Sequence, residues 1–391
     1  MPQIPKVVLL IETSRGFGRA LLRGIAKYSR LYGPWTFYRM PVFYLDPYSR
    51  IREKELHRMK KWGATGIIMR EIKNSEELIG LGLPTIVSTY SKNKAPGVCE
   101  IYVNNKGIGK TAADYLLELG FTQFAFCGYD DFFWSEERKH GFIERVQQAG
   151  FDVITYKQPK SKLMRLWDNE QNFLAAWLKS LPTPIGLMAC IDERSQDVLE
   201  ACKTSGLHVP EDIAIIGGDN DDLICDLANP PLSSVAINGV VAGYQAAELL
   251  DKLMAGKEKM TGQQVTVEPT HVKARLSTDV LAMKDQDVAT AIRFIRNNIK
   301  APIQVSDVVE ATCLGRRGLE KRFRKILERS ILDEIRHYRT EQVSKYLIET
   351  SMSISQIAST LGYSSIKNIS RYFCKEKGLS PLAYRKLYSS H

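Results

Sequence analysis

Two stretches of the last hundred residues, about fifty positions apart, share one pattern: a short helix, a tight turn and a second helix. In the later stretch Ser353 and Gln356 have the spacing of a capping box, which starts a helix by satisfying two orphan amides reciprocally. Ile354, Ile357, Ala358 and Leu361 follow at helical spacing and give it one apolar face. Gly362 predicts the stop, because a left-handed residue is needed there and glycine adopts that conformation at no steric cost. Ser364 is placed to cap the next helix, whose Ile369 and Phe373 turn towards a core. Its opposite face carries Ser365, Lys367, Asn368 and Arg371, donors without acidic neighbours, as a helix that reads base edges in a major groove requires.

The earlier stretch is a rougher copy. Val305, Val308 and Val309 lead through Cys313, Leu314 and Gly315 to a helix in which Leu319 and Phe323 are spaced like Ile369 and Phe373. That alignment puts Arg317 and Lys321 where the later unit has Lys367 and Arg371. Gly318, inside the helix, is expected to weaken it by about 0.5–1 kcal/mol relative to alanine. Residues 331–347 predict a long amphipathic helix able to hold both units apart at a fixed distance. Successive major grooves on one face of a duplex lie about 34 Å apart. Charge points the same way: residues 287–391 hold 19 Lys plus Arg against 10 Asp plus Glu, a net +9 of the chain's +10, whereas residues 1–286 hold 35 against 34. Charge alone would equally suit a basic docking bundle. The repeated helix–turn–helix spacing decides for phosphate and base contact.

The first 286 residues alternate short apolar runs with amphipathic stretches. Strands are predicted at 7–11, 36–38, 66–69, 85–88, 100–103, 124–127, 153–156, 186–189 and 213–217, with helices at 19–32, 108–119, 136–149, 170–181 and 195–204 among those between them. Such alternation gives parallel sheets covered by helices on both faces. About ten strands are too many for one small sheet, so two similar lobes are expected. The predicted organisation is a two-lobed α/β domain over residues 1–275, a linker at 276–286, and an all-α domain with two helix–turn–helix units over 287–391.

Residues 303–385 resemble the DNA-binding domain of the AraC/XylS family of transcription regulators, through the 303–323 run, the 353–373 run and the closing Lys377-Gly-Leu-Ser-Pro-Leu-Ala-Tyr384-Arg385. In that last run Ser380 is placed to cap a final helix and Pro381 to open it. The resemblance implies two recognition helices in successive major grooves. Arg317, Glu320 and Lys321 of the first and Lys367, Asn368 and Arg371 of the second would face the bases, with Arg316 and Ser365 beside them. The chain departs from the family pattern at Cys313, where a turn glycine is usual, and at Gly315, where a Ser-like cap is usual.

The preceding part is similar to the effector domain of LacI-type repressors and periplasmic-binding-protein-like sugar receptors. The similarity lies in Gly24-Ile25-Ala26, Gly66-Ile67-Ile68, Val103-Asn104-Asn105, Leu119-Gly-Phe121, Arg138 with Gly141-Phe142, Asp192, Val209-Pro-Glu211-Asp212, Ile216-Gly-Gly-Asp219-Asn220 and Pro231-Leu-Ser-Ser-Val235. It implies a small sugar between the lobes, held by Arg138, Asp192 and Asp219; the loop Glu12-Thr13-Ser14-Arg15 after the first strand, Thr13 above all, is a further candidate from its place at a strand end. Phe132, Phe133 and Trp134 would offer rings to stack on, and a cation at Arg70, beside Glu71, would alter which hydroxyl pattern is accepted. Joined, the two resemblances imply a sugar-responsive regulator: an activator of a sugar-catabolism operon with xylose or a related sugar as effector. It would act as a homodimer on double-stranded DNA and meet RNA polymerase.

The alternative, a sugar- or nucleotide-acting enzyme with a basic accessory domain, finds no support in motifs. Gly16-Phe-Gly18 follows a strand, but Leu21 stands where a dinucleotide fingerprint needs its third glycine. Gly109-Lys110-Thr111 resembles the end of a phosphate-binding loop, but Asn104 stands where that loop's first glycine belongs. Six scattered histidines give no metal spacing. No catalytic residue, cofactor or metal is therefore expected. The seven cysteines include no Cys-x-x-Cys pair, and the apolar run at 7–11 is too short for a secretory leader or a membrane span. A cytoplasmic protein with reduced thiols and no membrane partner is the expectation.

Overall fold

The computed structural model describes residues 4–39, 53–72, 75–91, 97–279, 285–299, 301–363 and 366–388. The first lobe opens with β1 (Lys6–Leu10), α1 (Gly16–Tyr32), β2 (Thr36–Arg39), α2 (Glu53–Trp62), β3 (Gly66–Arg70), α3 (Ser75–Ile79), β4 (Thr85–Ser88) and β5 (Cys99–Val103). The chain then crosses to a second lobe: α4 (Asn105–Glu118), β6 (Phe124–Cys127), α5 (Phe133–Gln148), β7 (Val153–Thr155), α6 (Trp167–Lys179), β8 (Ile185–Ala189), α7 (Asp192–Ser205), β9 (Ile213–Asp219), α8 (Asp222–Leu227) and β10 (Ser233–Ile237). Next, α9 (Gly239–Met254) and β11 (Gln264–Val267) return to the first lobe, and β12 (Pro269–Lys273) returns to the second.

Each lobe is a six-stranded sheet, ordered β11-β5-β4-β3-β1-β2 and β12-β10-β9-β8-β6-β7. Pairing is parallel throughout except where β12 runs antiparallel on β10. Helices cover both faces, so central strands such as β8 are buried along their whole length and show an unbroken apolar run. The three crossing segments are tied together at the hinge. The Asn104 amide donates to the Val267 carbonyl at 2.9 Å, and the Glu268 amide donates to Asn238 Oδ1 at 2.7 Å.

The nine predicted strands are present, and β10, β11 and β12 are additional. In both lobes two helices meet through glycine. A Cβ on Gly109 of α4 would lie 2.1 Å from the Arg138 carbonyl oxygen of α5, and one on Gly141 would lie 2.1 Å from that of Lys106. Gly24 of α1 and Gly243 of α9 repeat the arrangement in the first lobe, facing Val240 and Leu21. Leu276–Thr278 form a single helical turn packed on the second lobe, where the Ser277 hydroxyl donates to the Ile215 carbonyl at 2.7 Å.

The helical domain follows as α10 (Gln286–Asn298), α11 (Val305–Glu310), α12 (Arg316–Leu327), α13 (Ile331–Glu349), α14 (Ile354–Thr360), α15 (Ile366–Lys377) and α16 (Pro381–Tyr388). The capping box at Ser353 and Gln356 is formed in both directions, Gly362 has φ of +64°, and the Ser380 hydroxyl caps α16. At about 1.5 Å per residue, the 19 residues of α13 span about 28 Å. Leu319, Phe323, Ile331 and Ile335 of the first unit share one core with Phe121, Phe142 and Ile216 of the second lobe. The second unit has its own core of Leu347, Ile357, Leu361, Ile369, Phe373 and Tyr384.

Two glycine substitutions should move stability in opposite directions. A Cβ on Gly318 meets no atom within 4 Å, so Gly318→Ala should raise urea stability by about 0.5–1 kcal/mol. Gly109→Ala should lower it by about 1–3 kcal/mol or more, because backbone must move to admit the methyl. A destabilised Gly318→Ala, followed by circular dichroism, would contradict the helical placement of that residue.

Candidate effector cleft and nucleic-acid interface

The carboxyl ends of the parallel strands in both lobes point into one cleft, the usual place for ligands in open α/β sheets. It encloses about 90 Å³ and is lined by Glu12, Arg15, Gly16 and Phe17 after β1, Arg70 at the end of β3, and Tyr90 after β4. The second lobe contributes Asn105, Trp134, Arg138, Asp192, Glu193, Asp219 and Asp221.

Arg138 is 3% exposed, and each of its three guanidinium nitrogens donates a hydrogen bond. Nε donates to Asn105 Oδ1 at 3.0 Å, one terminal nitrogen to the Cys190 carbonyl at 2.7 Å, and the other to Asp219 Oδ1 at 2.7 Å. The indole of Trp134 lies against it, 5.2 Å from guanidinium carbon to ring centre. Asp219 and Asn220 sit at φ of +86° and +51°, a left-handed kink that turns the end of β9 into the cleft. Gly217 and Gly218 precede the kink because Cβ atoms there would lie 2.3 Å from Asp192 Oδ1 and 2.9 Å from an Arg138 nitrogen.

Asp192 lies beneath this turn and braces it. Its oxygens meet the Ser234 hydroxyl at 2.5 Å and accept the Asp221 amide at 2.7 Å. Burial pushes its carboxyl well above the usual range. Arg70 pairs with Glu12 at 2.6 Å and lies over the Tyr90 ring, whereas Glu71 accepts the Tyr90 and Ser91 amides, each at 2.9 Å. The lobes also grip each other directly. Asp221 accepts the Gly16 amide at 2.6 Å and pairs with Arg19, and Arg15 faces Glu193 at 3.3 Å.

Sequence reasoning thus brought Arg138, Asp192 and Asp219 to one place. Thr13 is exposed and does not line the cleft; its carbonyl accepts Arg19 at 3.0 Å, while Glu12 and Arg15 on either side of it do line the cleft. Of the three aromatics, Trp134 lines the cleft, Phe133 lines an adjoining hollow, and Phe132 is 39% exposed. Asn105 entered only as part of the Val103-Asn104-Asn105 run, and Asp221 had no role assigned; the further signal for each was a place beside a strand end.

On α12, Arg316, Arg317 and Lys321 are exposed and Glu320 is half-buried. Arg322 is turned back to Asp285 and Asp287, at 3.0 and 3.3 Å. On α15, Arg371 is exposed and donates to the Tyr372 hydroxyl at 2.8 Å. Lys367 and Asn368 lie in the first turn of α15, and Ser365 falls outside the described residues.

The Asp192 environment has a measurable consequence. A carboxyl whose folded pKa exceeds its unfolded one contributes stability that is complete below the ordinary value of 3.8 and is lost as pH rises through the folded value. Asp192→Asn, which carries no proton to lose, should therefore gain stability relative to the parent chain as pH rises, read by urea unfolding at several pH values. A parent-to-variant difference independent of pH would refute the upward shift of the buried carboxyl.

Among the described residues, no helix is long and apolar enough to cross a membrane. Residues 113–278 match a periplasmic binding protein-like domain family and residues 308–387 a helix-turn-helix domain family. The chain is 29% identical over 393 residues to the xylose operon regulatory protein of Escherichia coli K12, covering 98% of this chain and 97% of that one. It is 30% identical over 391 residues to the protein of the same name in Haemophilus influenzae, covering 98% of each. A solved structure of a xylose-binding transcription activator is similar over 99% of both chains, with TM-score 0.61 and 28% identity. A regulator solved in complex with cellobiose shares the fold over 71% of this chain, with TM-score 0.54 and 20% identity. Similarity at that level along the whole chain, over two lobes and two helix–turn–helix units in the same order, places it in the family of xylose operon regulatory proteins: it is a DNA-binding transcription regulator that responds to a sugar.

Proposed function

We propose that the effector is a neutral monosaccharide, xylose or a close relative, and that the chain activates a sugar-catabolism operon. The charge pattern of the cleft carries this reading. Of the lining residues, Arg138, Arg70 and Arg15 are paired with Asp219, Glu12 and Glu193, Arg19 behind the lining pairs with Asp221, and burial pushes the Asp192 carboxyl up. A cleft so balanced has no surplus charge for a phosphate or a carboxylate. It offers ionised hydrogen-bond partners to hydroxyls, which bind them about twice as strongly as neutral partners do. Trp134, Phe17 and Tyr90 add rings for the apolar face of a sugar. In this reading Arg138 and Asp219 hold hydroxyls, and Asp192 keeps the turn that presents Asp219.

On the DNA side, α12 and α15 enter successive major grooves. In this reading Arg317, Glu320, Lys321, Lys367, Asn368 and Arg371 contact bases, with Arg316 and Ser365 as further contacts. The protein works in the cytoplasm as a homodimer joined through its effector domains, with RNA polymerase as the eventual partner. Leu223 and Leu227 on one lobe, and Leu31 and Tyr32 on the other, are apolar, exposed and available for a second copy to cover. The functional division of the chain falls after residue 278, because Leu276–Thr278, expected in the linker, pack on the second lobe, and before residue 287.

Two measurements test the reading. D-xylose should raise the unfolding temperature and bind in calorimetry, while sugar phosphates and aldonic acids should not; Asp219→Asn should weaken the sugar roughly 10- to 100-fold, the scale of a charge-assisted hydrogen bond. An unchanged titration would remove Asp219 from the site. Arg371→Ala and Lys321→Ala should each cost about 1–3 kcal/mol of specific DNA affinity in a gel shift. Equal loss on specific and random duplexes would make these residues phosphate contacts instead.

A further inference from the structure

We propose that α4 carries the sugar signal to the operator, and that a junction of Glu118, His337 and Glu376 at its far end makes His337 a positioning residue for the second recognition helix. The inference rests on the sugar-responsive reading above.

The two ends of α4 lie in different worlds. At its start, Asn105 holds Arg138 and so touches the cleft, while Asn104 caps the helix and donates to Glu268 of the hinge at 2.7 Å. Fourteen residues at about 1.5 Å each put its last residue, Glu118, about 20 Å away. The Gly109–Gly141 contact leaves no gap between α4 and α5, and Arg145 of α5 pairs with Asp114 of α4 at 2.5 Å. Arg138 belongs to α5, so a shift at the cleft moves both helices together.

At the far end, Glu118 meets the helical domain. His337 of α13 faces Glu118 across 3.3 Å through Nε2, and its Nδ1 bonds to Glu376 of α15. One ring thus joins the effector domain to the helix that carries Lys367 and Arg371. Its setting is acidic. Glu334 and Glu341 lie nearby on α13, Arg329 pairs with Glu334, Lys377 of α15 pairs with Glu341, and Tyr338 packs against the ring edge. Burial opposes a charge on the ring, but the carboxylates outweigh it and push its pKa up to about 10. The cation separates two carboxylates, and without it Glu118 and Glu376 would repel each other. The position of α15 relative to α4 therefore depends on a charge that both helices share.

The test uses the full chain and a duplex selected from a random pool by the unaltered protein. Sugar binding is measured by calorimetry, and duplex affinity by fluorescence anisotropy with and without D-xylose. The unaltered chain should show a xylose-dependent change in duplex affinity. Glu118→Gln, at a partly exposed and nearly isosteric position, should keep xylose affinity within about twofold and lose most of the xylose-dependent change. His337→Gln should do the same, and His337→Lys, which restores a cation, should recover part of it; a residue that only holds the fold together would not produce that split. If Glu118→Gln and His337→Gln keep the full xylose response, the junction is not the coupling element. If the unaltered chain binds xylose without any change at the duplex, the signalling proposal fails while the sugar site stands. If the unaltered chain does not bind xylose, the underlying reading itself fails.

Discussion

A guanidinium taken out of water needs an acceptor on every side, and the second lobe is arranged around that demand at Arg138. Its three partners come from the start of α4, the end of β8 and the end of β9, which fixes how those elements meet. The double glycine before Asp219, the left-handed kink after it and the buried Asp192 below it all follow from bringing a carboxylate close enough to that cation. Truncating a member of such a buried set leaves an uncompensated charge, so the whole arrangement is held together by the cost of breaking any part of it. A ligand entering the cleft meets groups already aimed and already matched in charge.

Much of the fold was legible because parallel strands buried on both faces are plain apolar runs. The strands that escaped notice are those with another composition: β10 opens with two serines, and β11 and β12 are short strands at sheet edges in which polar residues are interleaved with apolar ones. Helix starts were placed about three residues late in α1, α4, α5, α6 and α7. Arg15, Phe132, Leu166 and Ile191, which precede four of them, make no side-chain cap, and the cap that Asn104 gives α4 was not read. The turn geometry sets those starts, and apolar period has nothing to say about it. Where a real capping box existed, at Ser353, the start was read correctly.

The site divides in the same way. Arg138, Asp192 and Asp219 were singled out only through resemblance, since a buried arginine and a solvated one look alike in a sequence. Arg15 and Asp221 engage the opposite lobe and Glu12 engages Arg70 of its own lobe, contacts that sequence spacing does not announce because the partners are distant in the chain. Charge counting also overstates the DNA-binding surface. Arg322 and Lys377 are turned inward to carboxylates, and Arg385 to the Leu347 and Met352 carbonyls, so part of the positive excess of the helical domain holds that domain together.

The order of the strands also has a consequence for biogenesis. Neither sheet has its full set of strands until β11 and β12 have been made, because the edge of each lobe is supplied by chain that has first visited the other. The helices of the DNA-contacting domain begin only afterwards, at Gln286. Domains emerging from a ribosome tend to fold in order from the amino terminus. Here that order lets the sensor close as a unit before any recognition helix has been synthesised, so a nascent chain cannot occupy a promoter ahead of the part that governs it.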